Sequence, residues 1–210
     1  MSLPIKTDRN RYCWVIGNTG FRESALYEKI ETYLILLDDF HKKDLKWTGP
    51  NRTANQRIFF SMMQEASLME GASTTATNAP KAARLKTSPL HKLGLVTDQR
   101  VITEVGNVIL NRAKARVNNQ KAYSDDEHFL ENDGDVYIRQ LLKFQFHASM
   151  KEKMGVRPFV LVLSFLQEFG YLTKTEMTYI LPLIISKELI DKGRQAVSTL
   201  REARNISTWN

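Results

Sequence analysis

The sequence predicts a mainly α-helical protein whose first helical body ends in a small β-hairpin and is followed by a second helical body. Three observations carry this. Apolar residues recur at three- and four-residue spacing in most segments. A pair of short β-type runs stands at Leu95-Val96 and Val101-Ile102. A stretch with six acids and no Lys or Arg, residues 122–135, separates two basic segments.

Taken in order, Tyr12 to Ile16 reads as a short strand before the turn GNTG. From Ser24, residues Leu26, Ile30, Leu34 and Leu37 share one helical face, and this helix should end near His41. LKWTGPN is a loop marked by Gly49-Pro50. Thr53 or Asn55 can cap a second helix to about Glu70, with Ile58, Met62, Ala66 and Met69 on one side. Gly71 to Asn78 is small and polar, a loop. Pro80 and Pro89 each suit the first turn of a helix, where a missing N–H costs nothing. Lys81–Lys92 therefore reads as two short helices with a tight turn between them. Leu95-Val96 and Val101-Ile102, joined by Thr97–Arg100, should form the hairpin, and Thr103 should cap a helix to about Lys121. Helices followed by a two-stranded hairpin make a winged helix.

Beyond the acidic stretch, Val136 to Met150 has an apolar helical pattern, and Arg157-Pro158 opens the helix FVLVLSFLQEF. GYLTKTE is a turn with a cap at Thr173 or Thr175, and the next helix meets Pro182. Ser186 to Arg204 is amphipathic. The expected domains are 1–121, a winged-helix recognition domain; 122–135, an acidic connector; and 136–210, a helical recognition or support domain for which a second helix-turn-helix is one form.

Composition narrows the function. The chain has 210 residues and an ordinary 42% of hydrophobic residues, but 30 Lys and Arg against 23 Asp and Glu, a net charge of +7. That favours an acidic partner, with nucleic acid ahead of an anionic membrane. Cys13 is the only cysteine, which excludes an internal disulfide framework and a Cys-rich zinc site. No apolar run approaches the roughly 18 residues a membrane span needs, and no apolar signal segment follows the N-terminal charges. The expected location is the cytoplasm.

Residues 71–97 contain no Asp or Glu, whereas Lys81, Arg84, Lys86 and Lys92 fall within the short helices together with His91. A helix entering a DNA groove needs cations for phosphates and polar tips for base edges. Lys81, Arg84 and Lys86 suit the first role. Arg84, Ser88 and His91 suit the second, Arg best because its fork matches guanine. Lys92 should reach only the rim, Arg100 at the hairpin tip a phosphate or the minor groove, and Arg22, beside GNTG, a backbone phosphate. Arg57 on the second helix joins the same set. The bland alternative is a solvated basic face.

Three segments also carry a family likeness. WVIGNTGFRESALYEKI, SPLHKLGLVTDQRVITEVGNVIL and YIRQLLKFQFHASMKEKMGVRPFVLVLSFL together resemble the N-terminal DNA-recognition part of the AlwI family of type IIS restriction endonucleases. The resemblance implies recognition of a short asymmetric duplex site, by a protein monomeric on DNA, and cleavage to one side. It also implies a separate nuclease domain using Mg²⁺, expected beyond Asn210, with paired carboxylates and a Lys that positions water. Asp44-Leu45-Lys46 is the nearest match to such a motif here, but it follows a helix and precedes a Gly-Pro loop. The expectation for this chain is therefore no catalytic residue, no metal ligand and no cofactor of its own.

Other constellations are weaker. The acids of 122–135 lack the offsets of a calcium loop, and His41, His91, His128 and His147 lack ligand spacing. Phe144, Phe146, Phe159, Phe165 and Phe169 read as core rather than as a base-stacking platform. A free-standing regulator with tandem helix-turn-helix units is the rival to a recognition module, and a protein-interaction module is the third class. A regulator would bind a palindrome as a dimer.

Overall fold

The structure, a computed structural model, describes residues 24–69, 77–118, 134–145 and 156–207. Those residues are mainly helical and fall into two compact units that divide between Gln140 and Leu141. The expected strand at Tyr12–Ile16, Arg22, Cys13 and nearly all of the acidic stretch lie outside the described residues.

The first unit is built from α1 (Leu26–Lys42), α2 (Arg52–Glu65), α3 (Ala79–Lys86), α4 (Ser88–Lys92) and α5 (Glu104–Asn118). Its core takes Leu34, Leu37 and Phe40 from α1, Phe59 and Met63 from α2, and Leu90, Leu95 and Ile109 further on, all fully buried. Phe40, Trp47 and Phe59 meet edge to face at 5.4–6.1 Å between ring centres. This is the geometry their ring quadrupoles favour. α1 is tied to α5 by ion pairs: Arg116 with the buried Glu31, and Lys114 with Asp38 at 2.5 Å.

Three of these helices stop in the same way. After α1 the Asp44 N–H donates to the His41 carbonyl and the Leu45 N–H reaches back to Phe40; after α2, Ser67 and Leu68 reach Gln64 and Met63. After α4, Gly94 and Leu95 reach His91 and Leu90. Asp44, Ser67 and Gly94 all have φ between +54° and +70°. Each pair of bonds satisfies carbonyls that a helix end would otherwise leave open. This corrects two expectations. α2 ends at Glu65 rather than near Glu70, because the chain turns left-handed at Ser67. Its start is not capped by Thr53 or Asn55; the buried Asn55 amide instead donates to the Lys46 carbonyl at 2.9 Å.

The hairpin is slighter than expected. Among the described residues there is no strand, only one antiparallel bridge between Val96 and Ile102. The Thr97 N–H donates to the Val101 carbonyl at 2.8 Å and Thr103 to Leu95 at 3.0 Å, and the ladder goes no further. Thr103 stops it, because its hydroxyl takes up the Gly106 N–H at 3.1 Å and so starts α5.

The second unit contains α7 (Pro158–Phe169) and α8 (Ile190–Ser207), with the last turn of α6 (Asp135–Lys143). The helix expected to run to Met150 is no longer helical at Phe144 and Gln145. Thr173 and Glu176 make a reciprocal cap: the Thr173 N–H donates to the Glu176 carboxylate at 2.7 Å and the Glu176 N–H to the Thr173 hydroxyl at 3.3 Å. The chain then winds loosely as a π-helix over Glu176–Ile180 and tightens to a 3-10 turn at Leu181–Leu183, where Pro182 has no N–H to give. Phe144, Leu161, Phe165, Ile180, Leu181, Ile184, Ala196 and Val197 form the core, with Phe159 and Phe169 packed on it. Of the five phenylalanines read as core, only Phe146 lies outside the described residues.

Candidate nucleic-acid interface

α3 and α4 form a corner whose inner side is apolar. Ala79, Pro80, Ala83, Thr87, Pro89 and Leu90 are buried, so the helical register turns Lys81 and Arg84 outward, and both are exposed. Lys86, Ser88, His91 and Lys92 lie at the edges, half-buried, and Arg57 is exposed on the neighbouring α2.

Two side chains fasten this corner to the rest of the unit. Gln56, on the buried side of α2, donates to the Trp47 carbonyl at 3.2 Å and accepts a bond from Arg84 Nη1 at 2.7 Å. Arg84 thus has one guanidinium nitrogen spoken for, and the fork is held by a residue that is itself 1% exposed. Thr87, between the two helices, donates to the Ala83 carbonyl at 2.8 Å and accepts from Arg100 Nε at 3.0 Å.

Arg100 is where the sequence expectation is corrected. Its side chain turns inward rather than toward a ligand: the residue is 8% exposed, and the guanidinium lies 5.6 Å from the Trp47 ring centre and also donates to the Asp98 carbonyl. Its backbone is left-handed, φ 60°, and its carbonyl accepts from His41 Nε2 at 2.9 Å. Burial pushes its pKa below the usual arginine value and the Asp98 carboxylate partly opposes that; an arginine so placed still carries its charge at neutral pH. The turn Thr97–Arg100 is therefore pinned from inside, with the Arg100 side chain turned away from the exposed tip where the sequence had placed it.

His91 is also engaged, 2.8 Å from the Asp98 carboxylate across the turn. Burial lowers the Lys92 pKa from its ordinary value. The residues brought to one exposed face are thus Lys81 and Arg84, with Lys86 and Ser88 at its margin. Sequence reasoning missed Gln56, Thr87, Trp47 and His41. The signal for Gln56 was present: a polar residue at a helix position whose neighbours one turn on, Phe59 and Phe60, are buried.

Asp44 occupies the left-handed position of the α1 cap and is exposed. Among the described residues no group of three or more His, Cys, Asp or Glu could hold a metal ion. No catalytic step is assigned to the described residues. Among the described residues, too, no helix is long and apolar enough to cross a membrane.

Residues 91–208, more than half the chain, match the family model of the AlwI restriction endonuclease. The chain belongs to the AlwI restriction endonuclease family, and DNA is the partner that membership implies. Neither the curated proteins nor the solved structures include a match.

Proposed function

We propose that this chain supplies sequence recognition to a restriction endonuclease, presenting the α3–α4 corner to duplex DNA. The observation that carries the reading is the outward pair Lys81 and Arg84 on a segment free of acids from 71 to 97, braced from behind by Gln56 and Thr87. Bracing matters because a base-reading side chain must already be in place before it meets its target. Lys81 and Lys86 attract phosphates and set the register. Arg84, with its remaining N–H groups, reads a base edge, and Ser88 stands at the margin of that face.

We read α3, α4 and the single Val96–Ile102 bridge as a much reduced winged helix. In this reading one molecule binds a short asymmetric site, and phosphodiester hydrolysis with Mg²⁺ belongs to a part of the protein other than the residues described. The check is a salt titration of duplex binding. Replacing Lys81 and Lys86 by Ala should lower the slope of log K against log salt by about 0.9 for each phosphate left without its cation. An unchanged affinity and slope would show that the corner does not face DNA.

A further inference from the structure

The second unit carries a cavity of about 420 Å³ whose described lining joins Arg157, Lys187 and Arg194, with Ser164 and Gln145, to four apolar side chains and includes no carboxylate. Three separate elements bring the cations there, Arg157 from the start of α7, Lys187 from a second 3-10 turn, Lys187–Leu189, and Arg194 from α8. Arg194 is already balanced, by Glu168 at 2.7 Å and Asp191 at 2.9 Å. Glu188, beside Lys187 in sequence, has its carboxylate held by Ser186, which lowers its pKa. Arg157 and Lys187 are both exposed, so they supply the charge that a ligand would meet, with the Ser164 hydroxyl and Gln145 amide as neutral partners.

We propose that this cavity is a phosphate-binding site, and that a phosphate of the duplex backbone occupies it. An arginine fork and a lysine ammonium suit the several oxygens of a phosphate, and neutral donors can complete its hydrogen bonding without adding charge. The choice of duplex as source rests on the reading that the chain binds DNA; the phosphate chemistry does not. The site grips the backbone and carries no sequence information of its own.

The test uses the full chain and an Arg157→Gln/Lys187→Gln double variant. Both side chains are exposed, so the variant should melt like the wild type in chloride. Two probes are applied: duplex DNA across a salt series, and inorganic phosphate against chloride at matched ionic strength in a thermal melt. Phosphate stabilises many proteins by exclusion from their surface, so the informative quantity is the difference between wild type and variant. The expected result is a DNA salt slope lower by about 1, every duplex weakened alike, and a smaller phosphate-induced rise in melting temperature for the variant. A reduced phosphate response with an unaltered DNA slope would keep the phosphate site but assign it to a free phosphate-bearing molecule instead of the duplex. If neither quantity differs, the cavity is not a phosphate site. Absence of DNA binding by the wild type would overturn both the α3–α4 reading and the duplex as the source of the phosphate, and the phosphate melt would still decide whether the cavity is a phosphate site.

Discussion

Arg100 holds its guanidinium against Trp47 and Thr87 while its backbone sits at φ 60°. That conformation costs a non-glycine residue about 1 kcal/mol or more, and the buried hydrogen bonds and ring contact offset it. Sequence position at a turn suggests an exposed tip, and only the inward rotamer reveals the brace. Arg100→Ala should therefore lower stability by roughly 1–3 kcal/mol, since it strips a charged donor from Thr87 and a cation from the Trp47 face. Denaturant midpoints measure this. A variant as stable as the wild type, but with a shallower DNA salt slope, would restore Arg100 to the interface.

The helices were legible because their apolar spacing is strong, and so were the two short helices at Pro80 and Pro89. The ends of α2 and the extent of the hairpin were not. A left-handed Ser67 and a one-bridge hairpin depend on backbone bonds that residue types do not announce. At the candidate site, the charge cluster was visible in the sequence, but the inward turn of Arg100 and the Gln56–Arg84 bond depend on how α2 and α3 pack. Gly106 shows how tight the bridge is: a Cβ there would meet the Leu95 carbonyl oxygen at 2.0 Å and Ile102 Cγ2 at 2.9 Å. A Cβ at Gly193 would meet the end of the Ile184 side chain at 2.2 Å, which can rotate away. Alanine favours a helix over glycine by up to about 1 kcal/mol. Gly106→Ala should nonetheless destabilise by about 1–3 kcal/mol or more, since backbone must move, and Gly193→Ala should cost less. Thermal melts of the two variants give the order, and the reverse order would contradict the packing.

The second unit has its own element-scale lock at Glu176, which is fully buried and bonded to Arg201 at 2.9 Å while Arg201 stacks 4.3 Å from the Tyr171 ring centre. Burial pushes the Glu176 carboxyl up, but Arg201 and the Thr173 amide and hydroxyl together outweigh it, leaving the pKa below its ordinary value. A lowered folded-state pKa stabilises the protein above the unfolded value and loses that contribution as pH falls through the folded one. Stability from this lock should thus be complete above the ordinary carboxylate range near 4.5 and decline below it. Glu176→Gln should flatten that part of the acid limb and lower stability at neutral pH. An acid limb identical to the wild type would show that Glu176 does not titrate as described.

At the scale of the molecule, two basic bodies belong to a restriction endonuclease family, with the braced corner in the first and the cationic cavity in the second. Membership makes DNA the partner; it does not say which side chains read it. Charge, periodicity and the three family-like segments were enough to point to DNA from the sequence, whereas the separation of Arg84 from Arg100 required coordinates. Arg84→Lys keeps the charge and a donor for Gln56 but loses the planar fork, so it separates reading from attraction. The most direct measurement is selection from a randomised duplex pool, run in parallel with wild type and Arg84→Lys. The wild type should enrich one short asymmetric sequence. The variant should enrich the same sequence with one base pair relaxed, by about 1–3 kcal/mol of discrimination. A palindromic consensus, no consensus, or an Arg84→Lys consensus identical to that of the wild type would contradict recognition of an asymmetric site by the α3–α4 corner.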